Sequence, residues 1–268
     1  MTLCKFSNKF KNRYTIKNLN IDYVFVDEIS MVHEIYYKFL LIIKQLKPKV
    51  RFIISGDFKQ LPPVCDRVAH IDYKESKILY ELSDNNRLTL STCRRADNTL
   101  FNLCKNVNKV DKSEFGQKIA KMNLSYTNKK RIEINKKLMD RQGKKYGAGL
   151  KLKANIKNEN SQDVELIENM PIISMKTDVK IGIVNNEMFT IKSIYQDKIE
   201  ITNENKTIEI NSKDFQFLFY VAYCITIHKS QGSTFDFDYT IHEWHKLDKT
   251  LKYVALSRAT KKNLINII

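Results

Sequence analysis

Residues 24–32 read VFVDEISMV: a β-branched and aromatic run ends on two adjacent carboxylates, Asp27 and Glu28, and apolar residues resume after a short polar break. YVFV (23–26) suits a short buried strand. From Ile29 to about Leu46, Met31, Ile35, Phe39, Ile42, Ile43 and Leu46 recur at helical spacing, and Pro48 stops the pattern. RFIIS (51–55) then reads as a second buried strand. Strand, helix, strand over this length predicts a βαβ unit, hence a parallel sheet with a right-handed crossover. Both strands end in chemistry, Asp27-Glu28 on the first and Gly56-Asp57 on the second. In open α/β sheets, ligands bind beyond the carboxyl ends of the strands.

A carboxylate pair in this position suits a magnesium ion and an attacking water beside a nucleoside triphosphate. Its usual companion is G-x-x-x-x-G-K-[ST], whose backbone N–H groups approach the phosphates without side chains in the way. The chain has seven glycines and the first is Gly56, so nothing before Asp27 forms that loop. Gly143 precedes Lys144, but position 138 is Leu. The phosphate loop is absent from these 268 residues.

Forty-six Lys and Arg against 30 Asp and Glu give a formal charge of +16. A polyanionic partner follows, nucleic acid ahead of a membrane surface. The competing explanation is a Lys- and Asn-rich composition that coats the surface. No run is long enough to span a bilayer, and MTLCKFSNKFKNRY lacks the apolar core of a signal peptide, so a soluble intracellular protein is expected. Cys4, Cys65, Cys93, Cys104 and Cys224 lie far apart with no C-x-x-C pair, which argues against a disulfide framework and a structural zinc.

Beyond the βαβ unit, a helical stretch around 76–82 leads to RLTL (87–90) and CRRAD, and a helix is expected from about Asn98 to Val107. MNLSYTN (122–128) reads as strand and turn, and KKRIEINKKLMDRQ as a helix with a basic face. Between about 143 and 212, FTIKSI, KIEIT and TIEIN alternate between Asn- and Asp-rich turns, which predicts a small, barrel-like antiparallel β insertion. FLFYVAYCITI (217–227) then resumes the core as a strand, and YVALSRAT (253–260) closes the chain. Trp244, in HEWHKL between His242 and His245, is read as packing, because the spacing suits no zinc site.

Five segments in order, VFVDEISMV, SGDFKQLPPV, LSTCRRAD, AYCITIHKSQGSTFD and YVALSRAT, resemble superfamily-one helicases, in the branch that holds RecD and the Pif-type DNA helicases. The resemblance runs from about residue 20 to the end. It implies an α/β fold of two P-loop-NTPase-like, RecA-like motor domains with parallel sheets: a truncated first domain (1–85) and a second (86–268) that carries the insertion. It also implies an ATP-dependent helicase moving 5′→3′ on single-stranded DNA in replication, repair or recombination, with ATP and Mg²⁺ as cofactors and RNA as an open alternative. The compartment is left open between the nucleus and, for a viral protein, the cytoplasm or a virus factory.

In the resemblance Asp27 holds Mg²⁺, Glu28 polarises the attacking water, and Gln60 senses the γ-phosphate. Arg95 and Arg258 reach the phosphates, with Arg94 an adjacent alternative to Arg95. Gly56, Asp57, Gln231 and Gly232 lie beside the nucleotide, and Thr226, His228 and Lys229 contact the single strand. The absent loop leaves two readings. The loop comes from an upstream polypeptide, or the chain binds single strands as a relic or accessory subunit without turning ATP over.

Overall fold

The computed structural model describes residues 3–63, 72–147, 149–158 and 160–268. The chain divides into two compact units, Met1–Cys93 and Arg94–Ile268. Cys65, and Val64 at the end of SGDFKQLPPV, lie outside the described residues.

In the first unit, α1 (Leu3–Lys9) and α2 (Arg13–Lys17) precede β1 (Tyr23–Val26), α3 (Glu34–Leu46), β2 (Arg51–Ile54) and α4 (Lys77–Leu82). β1 and β2 pair in parallel, Val26 opposite Ile54, as a βαβ unit requires. The helix expected from Ile29 is broken. Ile29–Met31 is a 3-10 turn, and α3 starts only after His33, whose Nδ1 accepts the Ile35 N–H. Periodicity could not see that break, because Met31 keeps the apolar spacing while the backbone turns.

The two strands are not buried on both faces. Tyr23, Phe25 and Ile53 are 57%, 72% and 50% exposed, whereas Val26 joins Ile29, Tyr37, Leu40, Ile43 and Leu82 in the core. α3 covers one face, so alternate residues of each strand face outward. A continuous apolar run looks the same in sequence whether one face or both are covered.

The second unit holds a parallel sheet of β11 (Cys224–Thr226), β3 (Met122–Ser125), β12 (Tyr239–Ile241) and β13 (Ile265–Ile267), in that order, flanked by α5 (Asn98–Lys105), α6 (Asn128–Tyr146) and α8 (Lys249–Leu256). Its strands are buried throughout. YVALSRAT therefore does not close the chain, because β13 follows it.

Between α6 and β11 come the β4 (Leu150–Leu152) and β5 (Val164–Leu166) hairpin, then β6 (Pro171–Ser174), β7 (Met188–Ile194), β8 (Lys198–Thr202) and β9 (Thr207–Asn211), the short α7 (Phe215–Leu218) and β10 (Phe219–Val221). The larger sheet is antiparallel in the order β10-β6-β7-β8-β9, over a core that includes Ile172, Phe189, Ile191, Ile201 and Phe219. Among the described residues its end strands do not pair, so the sheet is open rather than a closed barrel.

FLFYVAYCITI is not one strand. Its first part forms α7 and β10, which pairs with β6, and its second part is β11 in the parallel sheet. The switch falls at Ala222-Tyr223, and the fully buried Asn135 of α6 holds it. Asn135 Nδ2 donates to the carbonyls of Val221 and Cys224, and its Oδ1 accepts the Cys224 N–H. One amide side chain thus replaces the ladder bonds lost where the chain changes sheets.

Candidate nucleotide and nucleic-acid sites

Asp27, Glu28, Gly56, Asp57 and Gln60 lie in the first unit, at the carboxyl ends of β1 and β2. Parallel register sets Asp27 beside Ser55, whose hydroxyl donates to Asp27 Oδ1 at 2.7 Å. The Glu28 N–H donates to the same oxygen at 2.9 Å. Both bonds use Oδ1, which leaves Oδ2 available to a cation. Glu28 is left-handed (φ 52°, ψ 41°), a conformation that costs a non-glycine residue about 1–2 kcal/mol and gathers at functional sites. The turn is held by Ile29 N–H to the Ser55 carbonyl and Ser55 N–H to the Val26 carbonyl.

Close approach explains Gly56. A Cβ there would stand 2.8 Å from Ile29 Cγ2 and 3.0 Å from the Ile29 nitrogen, so a side chain would force the two strand ends apart. Asp57 Oδ1 accepts the Lys59 N–H and its carbonyl accepts the Gln60 N–H, which shapes the loop carrying Gln60.

Arg95 and Arg258 lie in the second unit, where hydrogen bonds draw three segments together. Arg94 and Arg95 are exposed just before Asp97, which caps α5 through the Leu100 N–H. The Asp97 N–H reaches the Thr260 carbonyl, and Phe235 N–H reaches the Arg258 carbonyl. Arg258 is 1% exposed. Its Nε donates to the Val254 carbonyl, Nη1 to the Ser233 carbonyl and Nη2 to Ser257 Oγ. LSTCRRAD, QGST and SRAT therefore meet, but Arg258 is a packed side chain and Arg95 a projecting one.

The HKSQG turn follows β11. Thr226 is 9% exposed and its Oγ1 accepts the Lys229 N–H, so it shapes the turn from inside. His228 stands outward, Gln231 is half-buried, and Gly232 has φ +83° with open space around its Cβ position. The glycine is needed there for its backbone conformation. Desolvation pushes the His228 imidazole below its ordinary pKa, against the opposing pull of Asp248, which favours the neutral ring.

Lys229 reaches into the β module. Its Nζ donates to Asn186 Oδ1 at 2.9 Å and to the Ser174 carbonyl at 3.3 Å, and lies 5.6 Å from the Tyr220 ring centre. Arg131, 2% exposed, sits over the same ring at 4.7 Å. Burial, then the Arg131 charge, lowers the Lys229 amine to about 8. The folded chain then binds fewer protons than the unfolded chain between about pH 8 and the ordinary lysine value of 10.5. Stability is expected to rise with pH across that window, and the cost of the buried charge is present in full below it. Lys229→Gln should raise the urea midpoint at pH 7 and remove the rise. An unchanged pH slope in the variant would disprove the assignment.

Sequence reasoning missed Ser55, Tyr220, Asn186 and Arg131. Ser55 had a signal, since parallel pairing of VFVD with FIIS aligns it with Asp27. The other three become neighbours of Lys229 only through the fold of the β module. Trp244 is 7% exposed with Lys252 over its ring, so it is packing. Buried His242 bonds Asn123 Oδ1, and burial lowers it to about 4. Among the described residues no group of three His, Cys, Asp or Glu side chains could hold a metal. For Mg²⁺ the protein half fits nonetheless, since that ion takes one or two carboxylates and fills its shell with water and phosphate oxygens.

The ATP-dependent DNA helicase Pif1 of Campylobacter jejuni is 26% identical over 318 aligned positions, which cover 92% of this chain and 69% of that protein. The Pif1 helicase of Candida albicans has the same fold, with a TM-score of 0.71 at 17% identity over 100% of this chain and 77% of that one. Over nearly its whole length the chain is thus similar to Pif1-type helicases. Bacteroides Pif1 in complex with ADP-AlF3 and single-stranded DNA gives a TM-score of 0.65 at 21% identity, over 96% of this chain and 72% of that one. No protein-family profile matches the chain. The likeness in fold, with a parallel sheet in each unit, fits the expected α/β, RecA-like architecture.

Proposed function

We propose that this chain is the carboxylate-bearing and strand-gripping portion of an ATP-dependent DNA helicase that moves along single-stranded DNA. The observation that carries this reading is the left-handed turn at Glu28, beside an Asp27 fixed by Ser55 at the ends of parallel strands. Asp27 takes Mg²⁺, which neutralises phosphate charge when bound; Glu28 orients the attacking water; Gln60 reads the terminal phosphate. Arg95, exposed, serves as a cation for the phosphates. Arg258 serves there only by giving up a carbonyl contact, so its first role is to hold the QGST turn. The Campylobacter relative is named as a DNA helicase, and the Bacteroides one was captured with ADP-AlF3 and single-stranded DNA, which supports both ligands.

The phosphate loop comes from a segment outside these 268 residues, upstream in the same protein or on a partner polypeptide. A second reading, a single-strand-binding subunit without turnover, is favoured by one observation, the lack of G-x-x-x-x-G-K-[ST] in the chain. No described helix is long and apolar enough to cross a membrane.

The His228-Lys229 turn gives the test. Burial favours the neutral His228 ring, which suits a grip by stacking or hydrogen bonding, while Lys229 grips by charge. His228→Ala is expected to weaken oligothymidine binding roughly tenfold without changing its salt dependence. Lys229→Gln should lower the slope of log affinity against log salt by about 0.7. Fluorescence anisotropy across a salt series reads both. Wild-type binding that ignores salt, or variants that bind like wild type, would remove this grip from the proposal.

A further inference from the structure

We propose that the outer face of α6 is a second nucleic-acid surface, built for the backbone of a duplex and separate from the HKSQG turn. Lys and Arg fill eight of the 19 positions of α6, against 46 of 268 in the whole chain, so this helix departs from the general lysine coat. Its exposed positions are Lys129, Glu133, Lys136, Lys137, Asp140, Arg141, Lys144 and Lys145, beside Asn128 at the start. They recur at helical spacing and make one ridge. Glu133 is already matched, since Lys130 bonds it at 2.8 Å and holds its carboxylate below the usual range. Among the described residues Lys136, Lys137, Arg141 and Lys144 form no salt bridge, and Asp140 is the one acid set among them. A shallow groove runs along these same side chains.

The chemistry favours a duplex over a single strand. Single-strand sites pair cations with aromatic platforms on which bases stack. From Lys129 to Lys145 the exposed side chains of α6 are all charged, so the ridge has nothing to stack a base on. It is one continuous helix, and Lys129 to Lys145 spans about 24 Å at the helical rise. Phosphates on a stiff duplex present charge at fixed spacing over that length, whereas a loose strand must be ordered first. The ridge stands on helix geometry and charge alone, so the proposal holds whether or not the chain turns ATP over.

The test is a set of α6 variants in the full chain: Lys136→Gln with Lys137→Gln, Arg141→Gln with Lys144→Gln, and all four together. Binding of a short blunt duplex and of oligothymidine of equal length is followed across a salt series. Removing four phosphate contacts should lower the duplex salt slope by about 3 to 4 and duplex affinity at least about tenfold at low salt, each pair giving about half. Oligothymidine binding should hold within about twofold, because its contacts lie at His228 and Lys229. That unchanged binding also reports that the variants are folded. Three results would overturn the proposal: a duplex slope that does not move, oligothymidine binding that falls in parallel, or displacement of the duplex by polyglutamate at equal charge concentration, which would mark a general polyanion surface.

Discussion

Residues 1–268 on their own are expected to leave ATP essentially intact. Supplied with a segment that carries G-x-x-x-x-G-K-[ST], fused or in trans, they are expected to turn ATP over in a manner stimulated by single-stranded DNA. Phosphoryl transfer is almost wholly positioning and electrostatics, and the loop provides backbone donors, a lysine and a metal-binding hydroxyl. Asp27 and Glu28 retain their half of that arrangement, down to the Ser55 hydroxyl on Asp27 Oδ1 and the left-handed Glu28 backbone. In the completed protein Glu28→Gln keeps shape and loses the basic oxygen, so turnover should fall about 10²- to 10⁴-fold with nucleotide binding preserved. Ser55→Ala frees Asp27 to rotate and should cost less, about tenfold. A coupled phosphate-release assay reads all three. Rapid hydrolysis by residues 1–268 alone, abolished by Glu28→Gln, would show that the chain grips phosphate by another route and would end this reading.

The sites legible in the sequence are those where one strand's end is itself the chemistry. YVFV and RFII are matched in length and separated by a helical pattern, so their parallel pairing, and with it the neighbourhood of Asp27 and Gly56, could be deduced before any coordinates. Ser55 followed from the same register and needed only that pairing to be read across. Other features depended on contacts distant in sequence. Whether Tyr23 and Phe25 are covered is decided by what packs on the second face of the sheet, which apolar character does not encode. Arg258 was recognisable as an arginine in a telling segment, yet its burial against Val254 and Ser233 arises from the turn that brings QGST beneath α8. Lys229 is similar: its pKa is lowered by burial and by the charge of Arg131 from α6, and the Tyr220 ring beside it comes from β10.

The hardest feature to read was the change of sheet within FLFYVAYCITI, and it carries the largest stability effect expected in the molecule. An unbroken apolar run gives no sign of where it leaves one sheet for another. The sign was Asn135, a polar residue in the buried stripe of α6 with no apolar reason to be there. Its three bonds satisfy the Val221 and Cys224 carbonyls and the Cys224 N–H, all enclosed by the core. Asn135→Ala leaves each without its partner in a space too apolar for water to replace the amide. Each orphaned group costs about 1–3 kcal/mol, and relaxation recovers part, so a loss of about 3–5 kcal/mol is expected. That is a large share of the roughly 5–15 kcal/mol that holds a domain folded. Urea unfolding should show the loss, and hydrogen exchange at the Cys224 amide should quicken in the same variant. Lys136→Gln, exposed on the same helix, should stay within about 0.5 kcal/mol. A drop for Asn135→Ala no larger than that of Lys136→Gln would mean that the strand switch is held by packing on its two sides. The amide would then be a passenger in the joint rather than its clamp.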